Sequence, residues 1–178
     1  ILEQAVHDLM TRCSYANVSL HKGFFWYYLS PNTKEMIIHP EGSYPSGRFF
    51  FKENNSYLLR VVYSTHRIGV ECFHALTDGS GALSYLKLLV ERYCHHAGIA
   101  DFSFPGGLDF EQKPTSQEFS DPFQHLYDKN LPSYPKISKA YHRKGFGSFD
   151  DRVKVISATI KTAQIKERAK ARGITIGE

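Results

Sequence analysis

Residues 57 to 95 decide the fold, and they run YLLRVVYSTHRIGVECFHALTDGSGALSYLKLLVERYCH. The first part, Tyr57 to Tyr63, is rich in β-branched, aromatic and leucine residues, which is typical of a strand. Ser64 to Arg67 predicts a turn, and Ile68 to Phe73 predicts a second strand. Leucine and aromatic residues then recur at helical spacing, which predicts a helix from about Gly81 to His95. The stretch therefore predicts a hairpin that leads directly into a helix.

The residues before this stretch predict one helix and further strands. Leu2, Ala5, Val6 and Leu9 fall at helical spacing, so we expect a helix that ends near Arg12 and Cys13. Two strands are predicted next, over 24–29 and 35–39, with a turn at 30–32 between them. A second hairpin is predicted to begin with residues 49–51 and to turn at 53–55 into the strand at Tyr57.

The residues after the central helix are less regular. Five prolines and several glycines between Phe102 and Gly147 predict a long excursion without regular elements, over 102–147. Val153 to Ile160 predicts a strand and Thr162 to Arg172 a helix that Gly173 ends, which together give a strand-helix unit over 153–173.

The composition sets the class of protein. A length of 178 residues predicts a single domain over 1–178, and the 14% aromatic content, concentrated in strand-like runs, predicts a sheet with a large aromatic core. We therefore expect a two-layer α/β (α+β) fold, in which a mixed, mainly antiparallel sheet packs against helices.

The charge and the cysteine spacing predict the cellular location and argue against several kinds of binding partner. The net charge of +4 is spread along the chain without a basic stripe, so no nucleic-acid partner is expected. The sequence has no apolar run long enough for a membrane span. Three cysteines at wide spacing predict neither a disulfide framework nor a zinc site, and they favour a reducing, cytoplasmic location. Cys94, His95 and His96 lie where the central helix ends, which favours a response to the helix dipole over metal binding.

His74 and Asp78 lie where a strand meets a helix, a place where active sites are often built. The strand's alternation predicts that His74 shares a face with Val70 and Cys72. Histidine suits general-base work because its ordinary pKa of about 6.5 lies near neutrality. Asp78 could hold the loop that aims His74, and Gly79 permits a tight turn there. The alternative is an aspartate that caps the following helix, beside an ordinary surface histidine.

The motif and its surroundings resemble a known superfamily. His74-Ala75-Leu76-Thr77-Asp78-Gly79 matches the H-x-x-x-D-G motif of the chloramphenicol acetyltransferase-like superfamily, which includes condensation domains and alcohol acetyltransferases. The stretches 25–29, 54–63 and 73–83 are similar to bacterial proteins of the alcohol acetyltransferase type. The resemblance covers most of the chain and implies one half of a chloramphenicol acetyltransferase-like fold.

The resemblance also implies roles for individual residues. His74 would deprotonate an alcohol or amine acceptor, which then attacks the thioester of acyl-CoA or of an acyl carrier. Asp78 would be structural and would form a salt bridge with an arginine, for which Arg60 is the candidate because it lies in an otherwise apolar strand. Tyr63 and Cys72 are candidates for the wall of the substrate tunnel, although an aromatic residue in a strand more often belongs to the core.

Two departures from the superfamily pattern shape the expectation. Phe73 stands where condensation domains have a first histidine, which favours the acetyltransferase branches. The D-F-G-W-G-type segment of the downstream half does not occur in the sequence. The chain is therefore expected to be an N-terminal half that is inactive alone, needs the missing C-terminal half and self-associates through the uncovered apolar face. The alternative function is a non-catalytic, condensation-like binding or scaffold module.

Overall fold

The computed structural model describes residues 1–42, 50–99, 102–120, 122–132 and 157–177. The chain divides into two compact units, Ile1–Tyr141 and His142–Glu178. Each unit is described by itself below, and a single domain over the whole chain stays a prediction. Helices and small, mainly antiparallel sheets make this a mixed α+β structure, which confirms the coarse fold class.

The helices of the first unit follow the predicted periodicity. Helix α1 spans Leu2–Arg12, and helix α2 spans Gly79–His96, two residues longer at its start than its apolar spacing indicated. A short helix α3 spans Pro122–Leu126, and a single 3-10 turn precedes it at Ser116–Phe119. These are the regular elements that the structure describes within the predicted excursion, while residues 133–147 lie outside the described part of the chain.

The strands form two separate sheets. Strand β1 (Val18–Lys22) pairs with β2 (Tyr27–Pro31) in an antiparallel ribbon. Strand β3 (Ile38–Pro40) runs parallel to β4 (Leu59–Ser64), which pairs antiparallel with β5 (Arg67–Cys72). The predicted strands at 24–29 and 35–39 therefore belong to different sheets, and the pattern missed β1 altogether.

The predicted first strand of the second hairpin is wrong where the structure describes it. Phe51–Asn54 forms a 3-10 turn that ends at Asn55 in a left-handed conformation (φ 48°). The side-chain amide of Asn54 explains this local fold, because it donates hydrogen bonds to the carbonyl oxygens of Tyr57 (3.2 Å) and Leu59 (2.7 Å). Most of the preceding segment, 43–49, lies outside the described residues.

The core of the first unit is largely aliphatic, not the aromatic core that the composition predicted. Its largest fully buried side chains are six leucine and valine residues with Asn54 and Cys13. Tyr57 and Tyr85 are the aromatic residues among the described side chains that are buried there. Side chains from α1, α2 and β4 form one buried cluster, and the aromatic run at 24–29 lies outside it.

The second unit is described over residues 157–177. Helix α4 spans Thr162–Arg172, as predicted, and ends at Gly173 in a left-handed conformation (φ 65°) that favours glycine. Residues 157–160 form no strand, and the rest of the predicted strand lies outside the described residues.

Candidate functional site

His74 is carried on a short turn that is fixed at both ends. Strand β5 ends at Cys72, and the next backbone N–H, from Phe73, donates to the carbonyl oxygen of Leu58 (2.8 Å). The N–H of Leu76 donates to the carbonyl oxygen of Phe73 (2.8 Å), and the Leu76 side chain packs against the core. The His74 side chain is exposed. The turn thus presents an accessible imidazole from a well-defined backbone.

Asp78 is the N-cap of α2. Its backbone is extended (φ −85°, ψ −176°), and its Oδ1 accepts a hydrogen bond from the N–H of Gly81 (2.8 Å). A helix leaves its first N–H groups without backbone partners, and a capping aspartate satisfies one of them. The capping interpretation is therefore confirmed. It agrees with a structural role for Asp78, because the carboxylate is engaged with the helix end.

Glycine is sterically required at Gly81, two residues after the motif, and not at Gly79. A Cβ at Gly79 would meet no atom within 4 Å, so Gly79 opens α2 without a steric need for glycine. A Cβ at Gly81 would overlap the side-chain oxygen of Thr77. The close approach of Thr77 to the first turn of α2 thus depends on Gly81, a requirement that the motif alone did not indicate.

The predicted salt bridge between Arg60 and Asp78 is corrected by the structure. Arg60 Nε donates to Glu71 Oε2 (2.7 Å), and a second guanidinium nitrogen bonds the same oxygen. Arg60 and Glu71 are directly opposite each other in the β4–β5 register. Since side chains alternate along a strand, Arg60 lies on the sheet face opposite Leu59 and Val61, which pack in the core with α2. Arg60 supports the hairpin instead of the motif.

The two predicted tunnel residues lie at different ends of the β4–β5 hairpin. Cys72 pairs with Leu59 next to the His74 turn, whereas Tyr63 pairs with Ile68, four residues or about 13 Å away along the strand. Tyr63 is partly exposed and lines a cavity of about 420 Å³ together with Leu2 and Tyr93. Tyr63 and His74 are therefore not brought together.

Cys72 is a half-buried thiol at the edge of the core. Burial raises the pKa of Cys72 to about 11, because the thiolate would lose its hydration. The side chain is thus a neutral thiol at physiological pH. It can contribute an apolar wall near the His74 turn.

His96, at the end of α2, has a structural contact that the sequence did not predict. Asp8 Oδ2 lies 2.8 Å from His96 Nε2 and accepts a hydrogen bond from Arg92 Nε (2.8 Å), so this carboxylate joins α1 to α2. Burial opposes ionisation of Asp8, but the hydrogen bonds from His96 and Arg92 outweigh it and lower the pKa of Asp8. In the described residues no group of His, Cys, Asp and Glu side chains has the arrangement of a metal site.

A second cavity of the first unit lies away from the motif. It has a volume of about 860 Å³, and its wall includes Met10, Lys34 and Met36 from α1 and the segment before β3. His74 lines neither this cavity nor the one at Tyr63. Within the described ranges, no helix is both long and apolar enough to span a lipid bilayer.

The chemistry available at the turn is that of one accessible imidazole beside a capped helix and a neutral thiol. An imidazole is a side chain that can accept a proton from a hydroxyl or amine in general-base catalysis. The Asp78 carboxylate is engaged in capping the helix. No match was found to any family model, curated protein or solved structure.

Proposed function

We propose that this protein is an acyltransferase in which His74 is the general base. The observation that carries the proposal is the exposed His74 imidazole on a turn fixed by the sheet on one side and by the Asp78 cap on the other. A general base must be accessible to its substrate and held in a defined place. The resemblance of 73–83 to the acetyltransferase motif supplies the class of reaction.

The reaction transfers an acyl group from a thioester to an alcohol or amine. His74 removes the proton of the acceptor as its oxygen or nitrogen attacks the thioester carbonyl carbon, and a tetrahedral intermediate forms. The intermediate collapses by breaking the carbon–sulfur bond, and the leaving thiolate takes the proton from the imidazolium. Atoms and charge balance, and the imidazole returns to its starting state. The donor is acyl-CoA or an acyl carrier thioester, and no permanently bound cofactor takes part.

Asp78 and Cys72 have supporting roles in this proposal. Asp78 fixes the turn by capping α2, and Cys72 presents a neutral, half-buried surface beside it. Activity is proposed to need the C-terminal half that the resemblance implies, which would supply the facing wall of the tunnel. The wild-type assay is therefore run on the longest natural form of the protein, with this chain alone as a comparison that is expected to be inactive.

The test measures acylated product by mass spectrometry with acetyl-CoA and a panel of alcohols and amines. Loss of a general base is expected to lower kcat by about 10²- to 10⁴-fold in His74→Ala. The matched control is His66→Ala, because His66 is also exposed and lies in the turn at the other end of the same hairpin. His66→Ala is expected to keep the wild-type rate. Equal rates in wild type and His74→Ala would refute the proposal.

The second candidate is a non-catalytic binding or scaffold module. It is favoured by the position of the 860 Å³ cavity, which His74 does not line. An inactive wild type over the whole panel of acceptors and acyl donors would support this candidate. Turnover that depends on His74 would exclude it.

A further inference from the structure

The β1–β2 ribbon carries a run of large apolar side chains that are exposed in the described part of the protein. Exposure is highest at the tip, with 93% at Phe24, and decreases along the chain to 68% at Trp26 and 47% at Leu29. At about 200 Å² for each large side chain, the run exposes on the order of 800 Å². The largest apolar patch on a typical monomer is roughly 300–600 Å², so this surface is built for contact. The tip run consists of Phe24, Phe25, Trp26, Tyr27, Tyr28 and Leu29.

The base of the ribbon is fixed, so the tip run is held away from the core. Asn32 is buried directly after β2, where its N–H donates to the carbonyl oxygen of Asn17 (2.8 Å) and its side-chain amide to that of Asn55 (2.9 Å). Ser19 of β1 forms a β-bridge with Tyr57 of the core. The turn at the tip is closed by a hydrogen bond from the N–H of Gly23 to the carbonyl oxygen of Trp26 (2.7 Å). The ribbon is thus an ordered projection.

Both faces of the ribbon are apolar at this end. Successive residues of a strand point to opposite faces, and Tyr27, Tyr28 and Leu29 of β2 are all exposed. A flat protein surface that docks on one face of a ribbon leaves the other face in water. A medium that surrounds the tip, such as the interfacial region of a lipid bilayer, covers both. Tryptophan and tyrosine are enriched at that depth of the bilayer.

The charge around the tip run complements an anionic surface. Residues 18–34 contain no aspartate or glutamate, and His21 and Lys22 are exposed next to the tip. Lysine side chains beside an inserted apolar segment reach back to the lipid headgroups, and anionic lipids attract them.

We propose that the β1–β2 ribbon is an interfacial anchor whose tip run inserts into the headgroup region of an anionic lipid bilayer. The anchor lies on the membrane surface without spanning it. The inference does not depend on acyl transfer, since vesicle binding is measured without an acyl donor, and His74→Ala is expected to bind vesicles as the wild type does.

The test uses Trp26, which is the only tryptophan in the chain and lies in the tip run. Its fluorescence emission is expected to shift to shorter wavelength when the protein is titrated with vesicles of phosphatidylcholine and phosphatidylserine. Lipids brominated on the acyl chain near the headgroup are expected to quench it. Binding to phosphatidylcholine vesicles is expected to be weaker, and Lys22→Gln is expected to reduce this lipid preference.

Variants test whether vesicle binding depends on the tip run or on exposed aromatic residues in general. Phe24→Ser with Phe25→Ser is expected to weaken vesicle partitioning by at least about tenfold, because two exposed rings no longer leave water. The matched control is Phe123→Ser, which removes an exposed phenylalanine on α3 and is expected to bind as the wild type does.

Three results would overturn the proposal. The first is an unchanged Trp26 emission with both kinds of vesicle, and the second is an equal loss of partitioning in Phe123→Ser. The third is an emission shift that appears with rising protein concentration in the absence of lipid and is not increased by vesicles. That third result would show that a second copy of the chain covers the ribbon.

Discussion

The two antiparallel hairpins of the first unit have similar apolar sequences and opposite environments. In the β4–β5 hairpin, Leu59 and Val61 are fully buried in the cluster with α1 and α2. In the β1–β2 ribbon, the residues from Phe24 to Leu29 are all substantially exposed. Strand propensity is therefore a guide to extended backbone, and burial depends on whether an amphipathic helix is positioned to cover the strand.

The two hairpins also differ in the activity that we propose for each. The covered hairpin provides a rigid frame, and the His74 turn follows it where β5 ends. The uncovered ribbon carries its apolar residues to a tip that we propose meets lipid. A rigid frame suits a reaction that needs a positioned base, whereas a projecting apolar tip suits attachment to a surface.

The largest expected difference between the hairpins is in unfolding free energy. Leu59→Ala leaves a cavity in the core and is expected to destabilise the protein by about 2–5 kcal/mol. Leu29→Ala in the ribbon removes a half-exposed side chain and is expected to cost about 1 kcal/mol or less. Urea unfolding followed by circular dichroism measures both. Equal losses would mean that the ribbon is as well covered as the sheet.

A smaller effect is expected at the helix start that fixes the His74 turn. Asp78→Ala removes the cap and is expected to cost about 1 kcal/mol, with a lower acyl-transfer rate because the turn is loosened. Asp78→Asn is the matched control, since asparagine caps about equally well, and it is expected to keep most of both stability and rate. An Asn variant as damaged as the Ala variant would indicate that the charge of Asp78 matters beyond capping.

The smallest effect on stability is expected when the pH is lowered, and it concerns the contact of Asp8 between α1 and α2. The pKa of Asp8 is lowered in the folded state, so its contribution is fully present above the unfolded pKa of about 3.9 and is lost as pH falls through the lower, folded pKa. Urea unfolding below about pH 4 is therefore expected to show a loss of stability that is smaller in Asp8→Asn. An identical pH dependence in wild type and Asp8→Asn would show that the α1–α2 contact does not depend on this carboxylate.

The three long helices could be predicted from the sequence because their signals are local, whereas the short α3 was not predicted. The apolar spacing in 2–9 and 83–93 and the glycine at 173 gave α1, α2 and α4 within two residues. Strand pairing depends on residues far apart in the sequence, and it was predicted less well. The turn at 64–67 fixed the β4–β5 hairpin, but the parallel pairing of β3 with β4 and the strand β1 had no local signal.

The site was predicted in part, because some of its contacts are local in the sequence and others depend on strand register. Asp78 as a cap follows from its place before a helix, whereas the partner of Arg60 depends on strand register. That register was available in principle, because a turn at 64–67 places residue 60 opposite 71 and so pairs arginine with glutamate. The Thr77–Gly81 contact depends on side-chain packing in three dimensions, and the motif pattern does not contain that information.

The most direct test of His74 as a base is chemical rescue. The acyl-transfer rate of His74→Ala is measured in the longest natural form of the protein, with and without added imidazole, beside Asp78→Ala. Free imidazole is expected to restore part of the rate in His74→Ala, because it replaces the missing base, and to have no effect on Asp78→Ala, which lacks only the cap. A His74→Ala variant that transfers acyl groups at the wild-type rate without imidazole would contradict the proposed role of His74.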